Sequence, residues 1–517
     1  MPDQTATEHR TSQTNALRTG ADYRAALRDG RNVWVMGEGR ADDVTTHPAT
    51  RGMVDEYAAW YDRHLDPAWE DRLLTPAGDD GARRPWGYVV PRSADDLRRM
   101  GRSFSETLFI AAGNITHTPA YGSLIALGVL ASAQQRGVSP GQIANAHAYR
   151  DTIARTGRFL TFSAGSAPIG HRLREDAAER VALKVVRETD AGLFVSGKIG
   201  MHTSPAYAED VYVGSASGID IGPHRATLVV PVGAPGVTVL CRRRAARPES
   251  RFMAPLSNRF DELDGQMWLK DVFVPWERVF LLDPSPEPVA QWLFWHQLYC
   301  WLAKAEFTLG LALACAHAMA LKEHEATIEY LVDIVADVQT VRSCLTAAEL
   351  DPTWLPGGQC SPNHKHVAAG SIALLKARQR IAETLRILPG SSLFVAPSDT
   401  DLATPELAAG LEKSFGGGGY TAMQRAALLQ MASDHVSSAL DARESAYELH
   451  ANGGISTWRA RLRRCFDGYS DLANAAVRTL ALEMPKVDVE NIRALPMVPR
   501  RVVAVPATVR PTDKGGL

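Results

Sequence analysis

Thr116-His117-Thr118-Pro119-Ala120-Tyr121 places an imidazole and a phenol four residues apart at the start of a helical pattern. On a helix that spacing puts both rings on one face. Such a pair can position a phenolic substrate or serve it as acid and base. Core packing or capping accounts for the same residues, and on this segment alone it is the better reading. His296-Gln297 opens an apolar helical run that continues to Lys304-Ala305-Glu306-Phe307. A histidine there can face a ligand, although a satisfied core histidine is the commoner case.

Other candidate motifs carry less. His364 and His366 lie two apart in a polar Ser-Pro-Asn-His-Lys-His stretch, which reads as a solvated loop before it reads as a metal pair. Gly416-Gly417-Gly418-Gly419 precedes a long helix and serves equally well as an anion-attracting helix start or as a hinge. Gly192-x-x-x-x-Gly197-Lys198 matches a phosphate loop only superficially, because Ile199 follows the lysine and the intervening Leu-Phe-Val-Ser reads as strand. Gly37-Glu38-Gly39 lacks the third glycine and the following helix of a dinucleotide fingerprint. Neither His-Glu-x-x-His nor Gly-x-Ser-x-Gly occurs, so hydrolase and kinase readings have no footing.

These residues need elements to hold them. The first twenty residues are polar and read as a disordered tail. The spacing predicts a short helix over ADYRAALRD and a strand and turn over Val33 to Gly39. Amphipathic helices follow over 53–64, 93–111 and 119–135. Ser93 is a good N-cap with Asp95 and Asp96 behind it, and Pro119 suits a helix start. Near residue 158 the period changes. Strands are expected at 159–163, 181–187, 193–199, 211–215, 226–230, 237–242 and 267–274, with a hairpin turn at Glu188 to Gly192 and a stop at Pro275. After Pro288 helical spacing returns over 292–321, 323–350, 364–388, 407–413, 422–452 and 459–482, which suggests an antiparallel bundle. The expected organisation is a tail (1–20), a helical domain (21–157), a β domain (158–282), a helical bundle (283–490) and an extended arm (491–517). This is an α+β, mainly α chain, not a βαβ alternation, and its three parts should meet at a cleft.

The chain has 517 residues, 45% hydrophobic and 22% charged, with a net charge of -2. That composition excludes general disorder and a broadly basic nucleic-acid binder. Six cysteines without a Cys-x-x-Cys pair point to a reducing, cytoplasmic setting. The first residues contain no apolar h-region, and the longest apolar stretch, 308–321, is shorter than the roughly 20 residues a bilayer span needs.

Several longer segments together resemble one family. They are Tyr23-Arg24-x-x-Leu27-Arg28-Asp29-Gly30-Arg31 with Asp43-Val44-Thr45-Thr46-His47-Pro48, and Glu188-Thr189-Asp190-Ala191-Gly192-Leu193-x-Val195-Ser196-Gly197. Pro255-Leu256-Ser257-x-Arg259-x-Asp261-Glu262, Val274-Pro275-Trp276-Glu277-Arg278-Val279-Phe280 and Lys304-Ala305-Glu306-Phe307 complete the set. In this order, from about residue 20 to 485, they look like the oxygenase component of the 4-hydroxyphenylacetate 3-monooxygenase family. The resemblance implies an acyl-CoA dehydrogenase-like fold, with a helical N-terminal domain, a middle β-barrel and a C-terminal four-helix bundle. It also implies a homotetramer and reduced FAD (FADH2) from a separate NAD(P)H-flavin reductase. Oxygen would add to the flavin as a C4a-hydroperoxide and pass to a phenol. The missing dinucleotide fingerprint agrees with a reductase that handles the nicotinamide.

Carried over residue by residue, the family's Arg-Ser-Pro-Asp-Tyr falls on His117 to Tyr121, so Tyr121 is kept while His117 and Ala120 replace Arg and Asp. The family's histidine after Leu-Thr is Phe162 here. Two of three phenol-holding groups therefore differ, which points away from 4-hydroxyphenylacetate itself, and His117 is of a type that titrates near neutral pH. The resemblance assigns substrate positioning to Tyr121 and His117, with His117 as acid or base and His296 near the flavin. It assigns FAD binding to Arg172, Thr203 and Arg443, with Ser163 at the end of the first strand in the same role. The flavin segment Pro168-Ile169-Gly170-His171-Arg172 keeps only its Pro and Arg, and Asp441 and Ala442 stand where the family has two glycines. The expected activity is oxygenation of an aromatic or heteroaromatic substrate, free or tethered to a carrier protein. The alternatives are an acyl-CoA dehydrogenase-like or redox-neutral flavoenzyme and a non-catalytic binding paralogue. The iron-sulfur cluster of the related 4-hydroxybutyryl-CoA dehydratase is rejected, because no cysteine lies near Thr116 to Ala120.

Overall fold

A computed structural model describes residues 17–79, 81–163, 183–214, 219–221, 224–245, 250–281, 287–450, 454–465, 469–480 and 484–488. Helices α1 (Gly20–Ala26), α2 (Arg51–Arg63), α3 (Ala94–Ile110), α4 (Pro119–Arg136) and α5 (Pro140–Thr156) form the N-terminal part. Their boundaries follow from local chemistry. The Ser93 side chain accepts the Asp96 N–H at the start of α3, and Thr118 caps α4 with Pro119 in its first turn. The sequence reading did not single out α5, although Ser139, Pro140 and Gln142 form a proline-led capping box there. Gly137 and Gly157 end α4 and α5 in the left-handed region, at φ 61° in both cases.

The strands are β1 (Val33–Val35), β2 (Gly39–Ala41), β3 (Leu160–Ser163), β4 (Lys184–Thr189), β5 (Gly192–Thr203), β6 (Asp210–Val213), β7 (Ile219–Ile221), β8 (His224–Pro231), β9 (Val237–Cys241), β10 (Asp264–Pro275) and β11 (Val279–Leu281), of which the short β2, β7 and β11 were not expected. They make a six-stranded sheet, β2-β1-β9-β10-β5-β4, and a second sheet, β11-β8-β6-β3, with β7 beside β8. The Gly192 to Lys198 stretch lies in β5, so the phosphate-loop likeness is strand. β1 pairs in parallel with β9, Val33 opposite Val239, so the N-terminal part lends a hairpin to the sheet.

The C-terminal part contains α6 (Glu287–Ala318), α7 (Glu325–Leu350), α8 (His364–Ile387), α9 (Ala422–Ser437), α10 (Ala439–His450) and α11 (Gly454–Cys465). The single helix expected over 422–452 is two. Ser438 leaves helical geometry, its hydroxyl donating to the Asp434 carbonyl at 2.6 Å and accepting the Asp441 N–H at 3.2 Å. The expected helix at 459–482 begins earlier, at Gly454, and its described portions are α11 and Tyr469–Val477. His364 and His366 sit in the first turn of α8, behind the Asn363 cap, rather than in a loop.

Two interior helices position the site. Every residue of α4 from Pro119 to Ala133 is buried, as expected for a helix apolar on all sides. Its Gly122 lies so close to β3 that a Cβ there would sit 2.4 Å from the Leu160 carbonyl oxygen. Helix α6 is apolar over a longer run than expected, and by length and composition Ala290–Ala318 is long enough to cross a membrane. More than half of its most apolar stretch is buried, with Trp292, Trp295 and Leu298 fully enclosed, so core packing explains its composition. One hydrophobic core runs from Tyr23 through α4 and both sheets to Trp458.

Candidate active site

The site is organised by a carboxylate. Glu262, fully buried just before β10, accepts the Thr116 N–H at 3.0 Å, the Thr116 hydroxyl at 2.5 Å, the His117 N–H at 3.0 Å and the Ser204 hydroxyl at 2.9 Å. The Tyr57 hydroxyl lies 2.9 Å from the same carboxylate and 3.0 Å from the His117 carbonyl oxygen. A buried carboxylate needs this many donors to offset its lost hydration. Saturated in this way, Glu262 serves as an anchor rather than a base. The segment it holds is also pinned from α6, where the Cys300 thiol donates to the Gly113 and Ile115 carbonyls. Ser204 takes a positive φ of 64° to bring its hydroxyl in; such a conformation in a non-glycine residue costs energy and is held by its surroundings.

His117 precedes α4 rather than lying within it, yet its ring still meets Tyr121. The two rings stack with centroids 4.3 Å apart and planes 11° apart. His296, from α6, stands edge-on to Tyr121 at 5.4 Å, and its Nε2 lies 3.2 Å from the Thr118 hydroxyl. The structure thus brings His117, Tyr121 and His296 together. His117 Nδ1 lies 2.8 Å from the Thr161 hydroxyl, which donates to the Thr203 carbonyl at 2.7 Å. Burial holds the His117 imidazole below its usual value although Glu262 and Asp264 pull the other way. The expectation of a group titrating near neutrality thus becomes a neutral imidazole. Burial, followed by the nearby His117, brings His296 down to about 3, and burial brings His202 down to about 4. Burial also raises the Tyr121 phenol, which stays protonated.

The cofactor candidates are distributed more widely. Ser163 lies two residues beyond Thr161 on β3 and so on the same face; its Oγ is buried without a partner among the described residues. His202 Nε2, His296 Nδ1 and Gln297 Nε2 are likewise buried and unpartnered. Thr203 donates its hydroxyl to Asp264 at 3.0 Å. Arg443, on α10, grips Asp264 through two bonds of 2.9 and 2.6 Å and reaches Glu444 at 2.5 Å. Burial alone would raise Asp264; the Arg443 and Arg242 charges overcome it and hold the carboxyl at about 2. Arg172 and the rest of Pro168 to Arg172 lie outside the described residues. Among the described residues, no group of three or more His, Cys, Asp or Glu side chains could hold a metal.

Sequence reasoning missed Glu262, Tyr57, Thr161 and His202. Glu262 stands inside a segment that carries the family resemblance, but nothing local marks it or the other three. Their roles come from partners up to 205 residues away.

The family model described as the 4-hydroxyphenylacetate 3-hydroxylase N-terminal region matches residues 19–281, and its C-terminal counterpart matches 288–481. The chain is 30% identical over 453 residues to a Rhodococcus opacus 4-nitrophenol 4-monooxygenase/4-nitrocatechol 2-monooxygenase oxygenase component, covering 84% of this chain and 85% of that protein. It is 28% identical over 500 residues to a Streptomyces globisporus monooxygenase named for a (3S)-3-amino-3-(3-chloro-4-hydroxyphenyl)propanoyl-[peptidyl-carrier protein] substrate, covering 92% and 94%. It superposes with a TM-score of 0.80 and 26% identity on the oxygenase component of 4-hydroxyphenylacetate 3-monooxygenase crystallised with FAD and 4-hydroxyphenylacetate, covering 90% of this chain and 98% of that one.

Proposed function

Because the chain belongs to the 4-hydroxyphenylacetate 3-hydroxylase family, we propose that His117, Tyr121 and His296 form the face against which its aromatic substrate is held. The chain is the oxygenase component of a two-component flavin-dependent monooxygenase, acting with FAD and O2 on an aromatic substrate. When bound, reduced FAD from the separate reductase supplies the electrons that activate O2 for transfer of one oxygen atom. The observation that carries the placement is the stack of His117 on Tyr121 with His296 edge-on, beside buried polar atoms that lack partners among the described residues.

The residues fit a flat ligand rich in hydrogen-bonding groups. A buried polar atom without a partner costs about 1–3 kcal/mol, and Ser163 Oγ and His202 Nε2 are such atoms close to the His117 cluster. Ser163 and Thr203 would hold the flavin. Arg443, whose guanidinium is engaged by Asp264 and Glu444, would act on it through Asp264 and Thr203. Tyr121, protonated and stacked, would set the plane and reach of the substrate ring, while His117 would exchange a proton with its polar group. The enclosure by α4, α6 and β3 excludes water from the reacting atoms. A carrier-tethered substrate fits the Streptomyces relative's name, and a homotetramer fits the family resemblance.

The test supplies reduced FAD and 18O2 with a panel of phenols and heteroaromatics. Incorporation of one 18O atom is expected. Tyr121→Phe and His117→Ala should lower product per FADH2 oxidised by roughly a hundredfold while FAD affinity changes little. Equal losses of FAD affinity and product would sink the substrate-face assignment.

A further inference from the structure

The hydroxyl of Thr161 has one proton, and the geometry commits it. The Thr203 carbonyl oxygen, 2.7 Å away, can only accept. The Thr161 oxygen is therefore left as the acceptor toward His117 Nδ1 at 2.8 Å, so Nδ1 carries the hydrogen and Nε2 of the neutral ring carries the lone pair. The Thr203 backbone carbonyl also draws on the ring's N–H, and no side chain among the described residues bonds Nε2. His117 is 4% exposed, and its Nε2 is not among the fully enclosed, unpartnered atoms that include His202 Nε2 and His296 Nδ1. The backbone on both sides of His117 is fixed by Glu262 and Tyr57, and its ring is held flat by Tyr121. An imidazole this constrained cannot readily turn over to offer a donor instead.

We propose that Thr161 locks His117 as the Nδ1–H tautomer, so that Nε2 accepts a proton from an uncharged phenolic O–H or aromatic N–H of the substrate. This rests on the substrate face proposed above. The consequence is a preference for neutral hydrogen-bond donors over phenolates or ring-borne anions, the reverse of what a cation at position 117 would select. In the step itself the substrate O–H or N–H bond breaks. Its electron pair stays on the substrate heteroatom and enriches the ring for oxygen transfer, and the proton resides on Nε2. The resulting imidazolium keeps its Nδ1–H bond to Thr161, and Nε2 returns the proton to the product heteroatom on release. The groups that bias this exchange are Glu262 and Asp264 before and at the start of β10, Arg443 from α10, His202 from β5, His296 from α6 and Tyr121 from α4. Thr161 is a positioning residue, since it acts only through His117.

The test combines Thr161→Val, which keeps the shape and removes the hydroxyl, with Thr161→Ser, which keeps the hydroxyl. Magic-angle-spinning 15N spectra of histidine-labelled protein, with the His117 signal assigned by its loss in His117→Gln, report the tautomer without cofactor or turnover. Wild type and Thr161→Ser should show a protonated Nδ1 and a bare Nε2, and Thr161→Val should lose that preference. Product per FADH2 from neutral phenols should fall roughly tenfold to a hundredfold in Thr161→Val and be restored by Thr161→Ser, with an altered acid limb in the pH profile. A wild-type Nε2–H signal overturns the tautomer assignment whatever the turnover. The expected tautomers, with Thr161→Val as productive as wild type on every aromatic, overturn the substrate-face reading instead.

Discussion

The backbone N–H of His117 donates to the Glu262 carboxylate at 3.0 Å, across 145 residues of chain. The group proposed to meet the substrate is therefore placed by its main chain, and Glu262 is its anchor. Glu262→Gln turns one acceptor into a donor that faces the donors of Thr116, His117 and Ser204. Leaving buried partners unmatched should cost about 3 kcal/mol or more. The apparent melting temperature should fall by several degrees, and oxygenation should fall with it. A variant as stable and as active as the parent would show that the anchor lies elsewhere.

Gly122 should tolerate no side chain. A Cβ there would lie 2.4 Å from the Leu160 carbonyl oxygen, forcing α4 away from β3 at a cost of about 1–3 kcal/mol. Tyr121 and Thr161 ride on these two elements. Gly122→Ala is thus expected to lower product per FADH2 more than a comparable glycine-to-alanine change at the open position Gly310; equal effects would refute the close approach as the cause.

Arg443 should resist replacement by lysine. Its two bonds to Asp264 need the forked guanidinium, and Glu444 and Glu262 lie on the same side. Arg443→Ala leaves these buried acids without their common cation, and a loss of about 3–5 kcal/mol is expected. Arg443→Lys should recover part of the thermal stability but not the FAD affinity, measured by fluorescence titration. Full recovery of both would show that charge alone suffices.

Stability should rise from about pH 4 to about pH 7 and then level off. Burial depresses His64, His202 and His364 to about 4 and His296 and His435 to about 3. The unfolded chain binds protons at these sites from about pH 6.5 downward and the folded chain does not, so stability present above about 6.5 is lost as the pH falls toward 4. Glu349 works in the opposite sense. Burial raises it to about 7 despite hydrogen bonds from Tyr299 and Trp295, so its contribution is present in acid and lost as the pH rises through about 7. Melting temperatures measured from pH 4 to 9 should climb to about pH 7 and then level off, and Glu349→Gln, which removes a group that opposes the climb, should steepen it. A profile that keeps rising to pH 9 in the parent would contradict this.

What the sequence could reveal was set by the range of each interaction. The Ser93 cap, the helix start at Pro119, the 188–192 turn and most strands depend on neighbours a few residues away and were readable. The split at Ser438 was not, because apolar spacing continues across it and only backbone geometry breaks the helix. The pairing of Val33 with Val239 was hidden because nothing local in a three-residue strand names its partner. Within the site, His117, Tyr121 and His296 stood out by residue type. Thr161 and Glu262 did not, since a threonine in a strand and an acid in a loop are ordinary until the fold supplies their partners.

The Glu262 anchor also bears on how the active state is reached. Its donors come from residues 57, 116–117 and 204, so three stretches of chain must converge on that of Glu262 before the carboxylate is satisfied. Closing such long loops brings little return until the last partner arrives. The pocket should therefore form late, after the helices and sheets have docked, and chains caught before that point would carry native secondary structure with no turnover. Recovery of oxygenation during refolding would then lag behind recovery of the circular dichroism signal, and the interval between them would time the closure of this single polar knot.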